Sequence, residues 1–197
     1  MRTNFLLCIA ILFFLSCATQ GTTPNDDDQS FFYEYDEETN ETCCSVGPNY
    51  LVLIPGKWNP LHYREESSQL FLVNEKKLPL TVRVSPCNGF EFNKDNSKQG
   101  FDFIKAFHKW EYDYYAQDSS ISQELIQSNA KDNYIICRVH GKLKETNNYD
   151  NYFIYIEREG ILIVLGVMSH GKMNRQETLD FIKTLYPKMS ILVKQDS

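Results

Sequence analysis

Apolar and polar residues alternate along most of the chain after residue 48, which predicts a domain rich in β-strands. A period of two places successive side chains on opposite faces of a sheet, so that one face can be buried. Strand-like segments cover residues 50–54, 69–73, 80–84, 121–127, 134–143, 152–157 and 161–168. The last of these is apolar at nearly every position, which is typical of a central strand covered on both faces.

Two other segments show the helical period. Aromatic residues recur every three or four positions between residues 100 and 117, at Phe103, Phe107, Trp110 and Tyr114. This spacing predicts a helix with an inward aromatic stripe, capped by Asn96 or Ser97. A second helix is expected over residues 174–186, because Asn174 and Glu177 have the spacing of a capping box.

The order of these elements predicts an α+β fold. Strands that are joined by short turns pair in antiparallel fashion, and a central strand that is apolar all round needs cover on both sides. We therefore expect one antiparallel β-sheet covered by helices on both faces, an α/β/α sandwich, with a further edge strand at residues 190–194.

Residues 48–194 resemble the PsbP-like family, which includes photosystem accessory proteins, a Ran-binding transport factor and bacterial DcrB-type lipoproteins. The segment Leu53–Trp58, LIPGKW, is similar to the family's P-x-x-W motif, and the strands between Ile154 and Met168 and the helix from Asn174 to Tyr186 extend the similarity. The resemblance implies a PsbP-like fold and a binding or assembly role. It brings no catalytic residues with it.

The amino-terminal segment has the pattern of an export signal. Residues 5–15 are apolar, too few to span a bilayer but suited to a signal peptide. The string FLSC at residues 14–17 resembles a bacterial lipobox, which implies cleavage before Cys17 and acyl chains, palmitate among them, on its sulfur. Ordinary cleavage after Ala18, giving a secreted protein, and an uncleaved anchor are the alternatives.

Charge divides the remaining chain into a tether and a domain. The chain has 20 basic and 26 acidic residues, and residues 18–42 contain eight acids without Lys or Arg. We expect a signal peptide at residues 1–16, a disordered acidic tether at residues 17–42, and one globular domain at residues 43–197. The nearly neutral domain has no basic stripe with interleaved aromatic residues, which argues against nucleic-acid binding.

Four cysteines remain after the signal segment and Cys17 are set aside. A disulfide is expected from Cys43 or Cys44 to Cys87, since an exported domain permits such bridges, with Cys137 buried on a strand. The spacings of a zinc site are missing from the sequence, so no metal site and no cofactor are expected.

The clearest candidate for a binding surface is aromatic. Trp110, Tyr112 and Tyr115 lie at the end of the long predicted helix and are expected to contact a protein partner. The paired carboxylates near them, such as Glu111, are interpreted as a solvated helix end.

No residue of the sequence indicates a catalytic centre. His140 is three residues from Cys137 on one strand, so the two side chains point to opposite faces. We expect a lipid-anchored binding or assembly factor of the cell envelope, at the outer membrane, in the periplasm or on the surface. The alternatives are an envelope hydrolase that uses His140 or His170, and a sugar-binding lipoprotein, which would need a concave row of exposed aromatic residues.

Overall fold

The computed structural model describes residues 32–143, 147–169 and 171–194, which contain eleven β-strands and two α-helices. The strands are β1 (Tyr33–Asp36), β2 (Glu41–Val46), β3 (Tyr50–Pro55), β4 (Trp58–Arg64), β5 (Gln69–Asn74), β6 (Pro79–Pro86), β7 (Ile121–Asn129), β8 (Tyr134–Leu143), β9 (Asn147–Arg158), β10 (Ile161–Met168) and β11 (Ser190–Val193). The helices are α1 (Gly100–Tyr115) and α2 (Arg175–Leu185). Neither helix of the described residues is long and apolar enough to cross a membrane.

The larger of the two sheets has seven strands in the order β4–β5–β6–β10–β9–β8–β7, and the pairs are antiparallel. Strand β10, the segment without polar residues, lies in the middle between β6 and β9, as its sequence predicts. Its side chains alternate between two cores, with Ile163 and Leu165 on one side and Leu162 and Val164 on the other.

The predicted α/β/α sandwich is wrong. The described chain is mostly antiparallel β-structure, and a second sheet of four strands, β1–β2–β3–β11, covers one face of the larger sheet together with α2. Val46, Val52 and Ile54 from this smaller sheet pack in one core with Leu72 and Val82 of the larger sheet. The four-stranded sheet therefore covers much of a face of the larger sheet that we expected helices alone to cover.

Because of the smaller sheet, the ordered domain begins earlier in the chain than we expected. Residues 33–42, which the charge pattern assigned to the tether, form β1, a turn and the start of β2. Tyr33 lies opposite Cys44 in the β1–β2 ladder and packs against the core. The ordered domain therefore reaches back at least ten residues before the expected boundary at residue 43. Residues 1–31, including Cys17, lie outside the described residues.

Helix α1 covers only part of the opposite face of the large sheet. It contacts β7, β8 and β9 and leaves the β5–β6 end open. Phe103, Ile104 and Phe107 are buried in an aromatic core against this face. The helix begins after Gln99, without a side-chain cap, so the expected cap at Asn96 or Ser97 is wrong.

The capping box of α2 is confirmed. The Asn174 side chain accepts a hydrogen bond from the Glu177 backbone N–H at 3.0 Å, and the Glu177 carboxylate accepts one from the Asn174 N–H at 2.8 Å. These contacts satisfy backbone groups that the first helical turn leaves without partners.

The expected disulfide is not formed: within the described residues Cys43, Cys44, Cys87 and Cys137 are free thiols. Cys44 belongs to the core between the two sheets, whereas Cys87 belongs to the core beneath α1. Burial raises the pKa of Cys44, Cys87 and Cys137 to about 12, so these thiols stay protonated and unreactive near neutral pH.

Candidate functional site

The open end of the large sheet forms one side of a groove, and the carboxyl-terminal half of α1 forms the other. We call this cavity of about 770 Å³ the α1 groove. The sheet contributes mainly residues that point away from the two-sheet core: Gln69, Phe71, Thr81, Arg83, Tyr149, Asn151, Phe153, Tyr155, Val164 and Met168. The helix and the turn after it contribute Trp110, Glu111, Tyr114, Tyr115, Gln117 and Asp118. Further residues on the lining are Arg64, Ser67 and Ile121.

The groove exists because α1 directs a charged residue inward after its first two turns. Phe103 and Phe107 are buried, and the next residues at the same spacing are Glu111 and Tyr115. Successive steps of four residues stay on nearly one helix face. A polar position therefore replaces the aromatic stripe where α1 extends toward the open part of the sheet.

Glu111 and Arg83 form the charged pair in the lining. The Arg83 Nη1 atom lies 3.9 Å from the Glu111 Oε1 atom, and the two side chains are only 19% and 16% exposed. Arg83 comes from β6, where Val82 and Val84 point into the two-sheet core and Arg83 points toward α1. The alternating side chains of β6 direct Arg83 toward α1, and the helical period of α1 directs Glu111 toward β6. The two opposite charges therefore meet.

Burial shifts both members of this pair toward their neutral forms. It raises the pKa of the Glu111 carboxyl, and the neighbouring Arg83 guanidinium and Tyr115 hydroxyl partly counteract the rise. Burial likewise lowers the pKa of the Arg83 guanidinium, although Glu111 opposes that change. Shifted ionisable groups that line a cleft are a recognised sign of a functional site.

A chain of hydroxyl and amide groups continues from this pair. The Tyr149 side chain lies beside Tyr115 and Asn151, and burial raises the pKa of the Tyr115 and Tyr149 hydroxyls. At physiological pH these hydroxyls therefore remain neutral and can both donate and accept hydrogen bonds. A second contact lies beside them, where Gln123 Nε2 donates to the Tyr155 hydroxyl at 3.2 Å.

Aromatic rings support the outer part of the groove. Trp110 is 42% exposed and packs edge-on against Phe90 at 5.9 Å between ring centroids and stacks near Phe107 at 5.9 Å. On the opposite side Phe71 is stacked against His62 with ring centroids 4.2 Å apart. These contacts hold the rings in place before any ligand enters, which lowers the entropy cost of binding.

Comparison with known proteins gives a distant structural similarity. No family model matches the sequence, and no curated protein matches it. The chain is similar to a solved structure titled "Solution Structure of Cyanobacterial PsbP (CyanoP) from Synechocystis sp. PCC 6803", with 15% identity and a TM-score of 0.47, over 87% of this chain and 98% of that chain. PsbP is the family that the sequence motifs resemble, but a similarity of this level assigns neither membership nor function.

Two of the three residues expected to form a partner surface, Trp110 and Tyr115, line the α1 groove, and Tyr112 does not. Tyr112 is 48% exposed, whereas Tyr115 is partly buried against the aromatic core beneath α1. Tyr114, which the stripe placed inward, is instead 63% exposed at the groove. The interpretation of Glu111 as part of a solvated helix end is wrong, because the side chain is mostly buried beside Arg83.

The three histidines that the structure describes, His62, His108 and His140, do not line the groove. His140 lies on β8 opposite Asp150 of β9, but the Asp150 carboxylate accepts two hydrogen bonds from Arg138, at 2.7 and 2.9 Å. His170 lies outside the described residues. Among the described residues, no three His, Cys, Asp or Glu side chains are grouped so that they could hold a metal ion.

Proposed function

We propose that this protein is a binding factor of the cell envelope, without catalytic activity, that holds its ligand in the α1 groove. The observation that carries the proposal is the combination of a 770 Å³ cavity, exposed aromatic side chains and a buried polar chain of Arg83, Glu111 and Tyr115. Cavities with apolar walls and a few fixed polar groups are the usual form of a ligand site.

The arrangement of Glu111 favours binding over catalysis. A general acid or base has to exchange a proton with the reacting group. Here the carboxyl already faces Arg83 at 3.9 Å and lies beside the Tyr115 hydroxyl. These neighbours hold the Glu111 carboxylate in position within the α1 groove. A fixed polar group of this kind serves recognition of a ligand.

Site-directed photo-crosslinking tests whether the groove is the binding site. We expect p-benzoylphenylalanine at position 114, in the full chain produced in cells, to form covalent adducts that mass spectrometry detects. This probe inserts into C–H bonds, so it reports many kinds of ligand. Position 112 is the matched control, because Tyr112 is also an exposed tyrosine of α1 but does not line the groove.

Adducts at position 114 and none at position 112 would support the proposal. Equal adducts at both positions would indicate unspecific contact, and the absence of adducts at position 114 would remove the groove as a ligand site. None of these three outcomes depends on the identity of the ligand.

We further propose that acyl chains on Cys17 hold the protein at the membrane, with the residues between Cys17 and β1 as a spacer. More than one acyl chain gives stable anchoring, whereas a single chain gives marginal binding. An alkyne fatty acid fed to cells is expected to label the wild-type chain and not Cys17→Ala, as read by in-gel fluorescence. Cys8→Ala is the control and should keep its label. Labelling of Cys17→Ala, or no labelling of the wild type, would contradict the anchor.

A further inference from the structure

We propose that the ligand of the α1 groove is a short, uncharged saccharide chain. This inference rests on the proposed binding function and names its ligand class. The cavity volume of about 770 Å³ lies in the range of roughly 300–1,000 Å³ that is usual for ligand sites.

The aromatic side chains offer flat apolar surfaces at the helix side of the groove. Trp110 and Tyr114 are 42% and 63% exposed there, although large aromatic side chains are usually more deeply covered. The C–H groups on one face of a pyranose ring form an apolar surface of matching size. Stacking on an aromatic ring therefore removes apolar area from water on both partners.

The polar groups of the groove are of the kind that pair with neighbouring hydroxyls. Arg83, Glu111, Gln69 and Asn151 each end in a planar group with two donors, two acceptors, or one of each. Such a group can bind two adjacent hydroxyls at once. The hydroxyls of Thr81 and Tyr149 add partners that both donate and accept.

Charge balance favours a ligand without net charge. Two cationic residues, Arg64 and Arg83, line the groove together with two acidic residues, Glu111 and Asp118. The inner cation and the inner carboxyl already face each other at 3.9 Å. A ligand charge that pairs with Arg83 or Glu111 would have to separate this inner pair and leave one member uncompensated, which is costly in a low-dielectric site.

The topology disfavours an extended peptide. A peptide that is recognised through its main chain adds a strand to an open sheet edge. The sheet residues of the groove come mainly from β5, β6, β10 and β9, and each of these strands has hydrogen-bonded neighbours on both sides. Only side chains face the groove, so recognition has to proceed through side-chain stacking and hydrogen bonds.

The two tryptophans provide a direct assay. Trp58 is 3% exposed, whereas Trp110 lines the groove and is 42% exposed, so acrylamide should quench mainly Trp110. The probes are chitotetraose, cellotetraose and maltotetraose, with a heparin tetrasaccharide and a blocked tetra-alanine peptide as controls. We expect at least one neutral tetrasaccharide to protect Trp110 from acrylamide saturably, and the two controls to leave quenching unchanged.

Matched variants locate the binding site. By calorimetry, Trp110→Ala and Tyr114→Ala should each weaken saccharide binding about tenfold, as expected for loss of a stacked ring. Tyr112→Ala should leave the affinity within about twofold, because Tyr112 does not line the groove. A thermal melt of each variant shows whether it is folded, and Tyr114, the more exposed residue, keeps the test valid if Trp110→Ala unfolds.

Three outcomes would overturn the inference: no neutral tetrasaccharide binds at millimolar concentration, the charged or peptide control binds better, or Tyr112→Ala weakens binding as much as Tyr114→Ala. If position 114 nevertheless forms crosslinked adducts, the proposed binding function stands and only the ligand class is wrong. Release of new reducing ends from a probe would contradict the non-catalytic role itself.

Discussion

Replacing Arg83 with leucine is expected to lower the free energy of unfolding by about 3 kcal/mol at neutral pH, since removal of one partner leaves a buried charge without compensation. The variant keeps most of the side-chain volume on β6 but leaves the Glu111 carboxyl without the guanidinium 3.9 Å away. The contact between Arg83 and the Phe90 ring, 5.3 Å from guanidinium to centroid, is also lost.

The loss should depend on pH in a defined direction. Burial already raises the pKa of Glu111 in the folded protein, and loss of Arg83 removes an influence that lowers it. Between the ordinary pKa of a glutamate and this raised value, the folded state keeps a proton that the unfolded state has released. Stability therefore falls as pH rises through that window, and below it both states are protonated and the penalty disappears.

Urea unfolding of the wild type and of Arg83→Leu, at about pH 4 and about pH 7, measures this difference. Addition of Glu111→Gln to Arg83→Leu should recover more than half of the loss at the higher pH and little at the lower one. Arg175→Leu is the control: Arg175 lies only 2.9 Å from Glu124, but the two side chains are 49% and 41% exposed, so its loss should cost less than about 1 kcal/mol. An equal loss at both pH values would exclude an uncompensated Glu111 charge as the cause.

Gly166→Ala is expected to destabilise the domain by about 2–3 kcal/mol through overpacking. Gly166 lies on central strand β10, directly opposite Thr81 of β6 and Phe153 of β9. A Cβ atom at this position would come closer to the Thr81 Oγ1 atom and to the Phe153 ring than real Cβ atoms approach their neighbours. Phe153 is buried in the aromatic core, so its ring has little room to move.

The matched control for this substitution is Gly89→Ala, where the nearest atom to an added Cβ is the Pro86 Cγ atom at an ordinary 3.6 Å. Chemical denaturation should show a lower midpoint for Gly166→Ala and a change of less than about 0.5 kcal/mol for Gly89→Ala. Similar midpoints for both variants would mean that the Phe153 ring adapts freely. Ligand binding by the same two variants is a second test, because Phe153 also lines the α1 groove.

Local pattern predicted the individual elements of the domain well but not the number of sheets. The segment 161–168 and the capping box at Asn174 appear in the structure as expected, because a fully apolar run and a cap residue at a fixed spacing are local signals. Strands β2 and β4 were missed. Strand β2 begins at the end of an acidic stretch, and β4 contains Pro60 at an edge of the sheet, where a missing N–H is tolerated.

The groove could be predicted only in part. The aromatic end of α1 indicated an exposed surface, and Trp110 does line the cavity. The aromatic stripe, however, placed Tyr114 inward, whereas Glu111 and Tyr115 take the inward positions because β6 supplies Arg83 as a partner. The available signal was the arginine at the centre of an otherwise apolar strand together with an acid at the core-facing period of the helix. Their juxtaposition depends on the order of strands, which no local pattern specifies.

The pairing of the last strand with one of the first sets an order for folding. Residue 190 of β11 lies opposite residue 53 of β3, so this ladder closes a loop that contains nearly the whole domain. Contacts between residues so far apart in sequence form slowly, because the chain entropy of the loop has to be lost first. During synthesis or threading from the amino terminus, β1, β2 and β3 can pair early, but their sheet stays incomplete until the final strand arrives. The smaller sheet would then be completed only after the rest of the domain has been made.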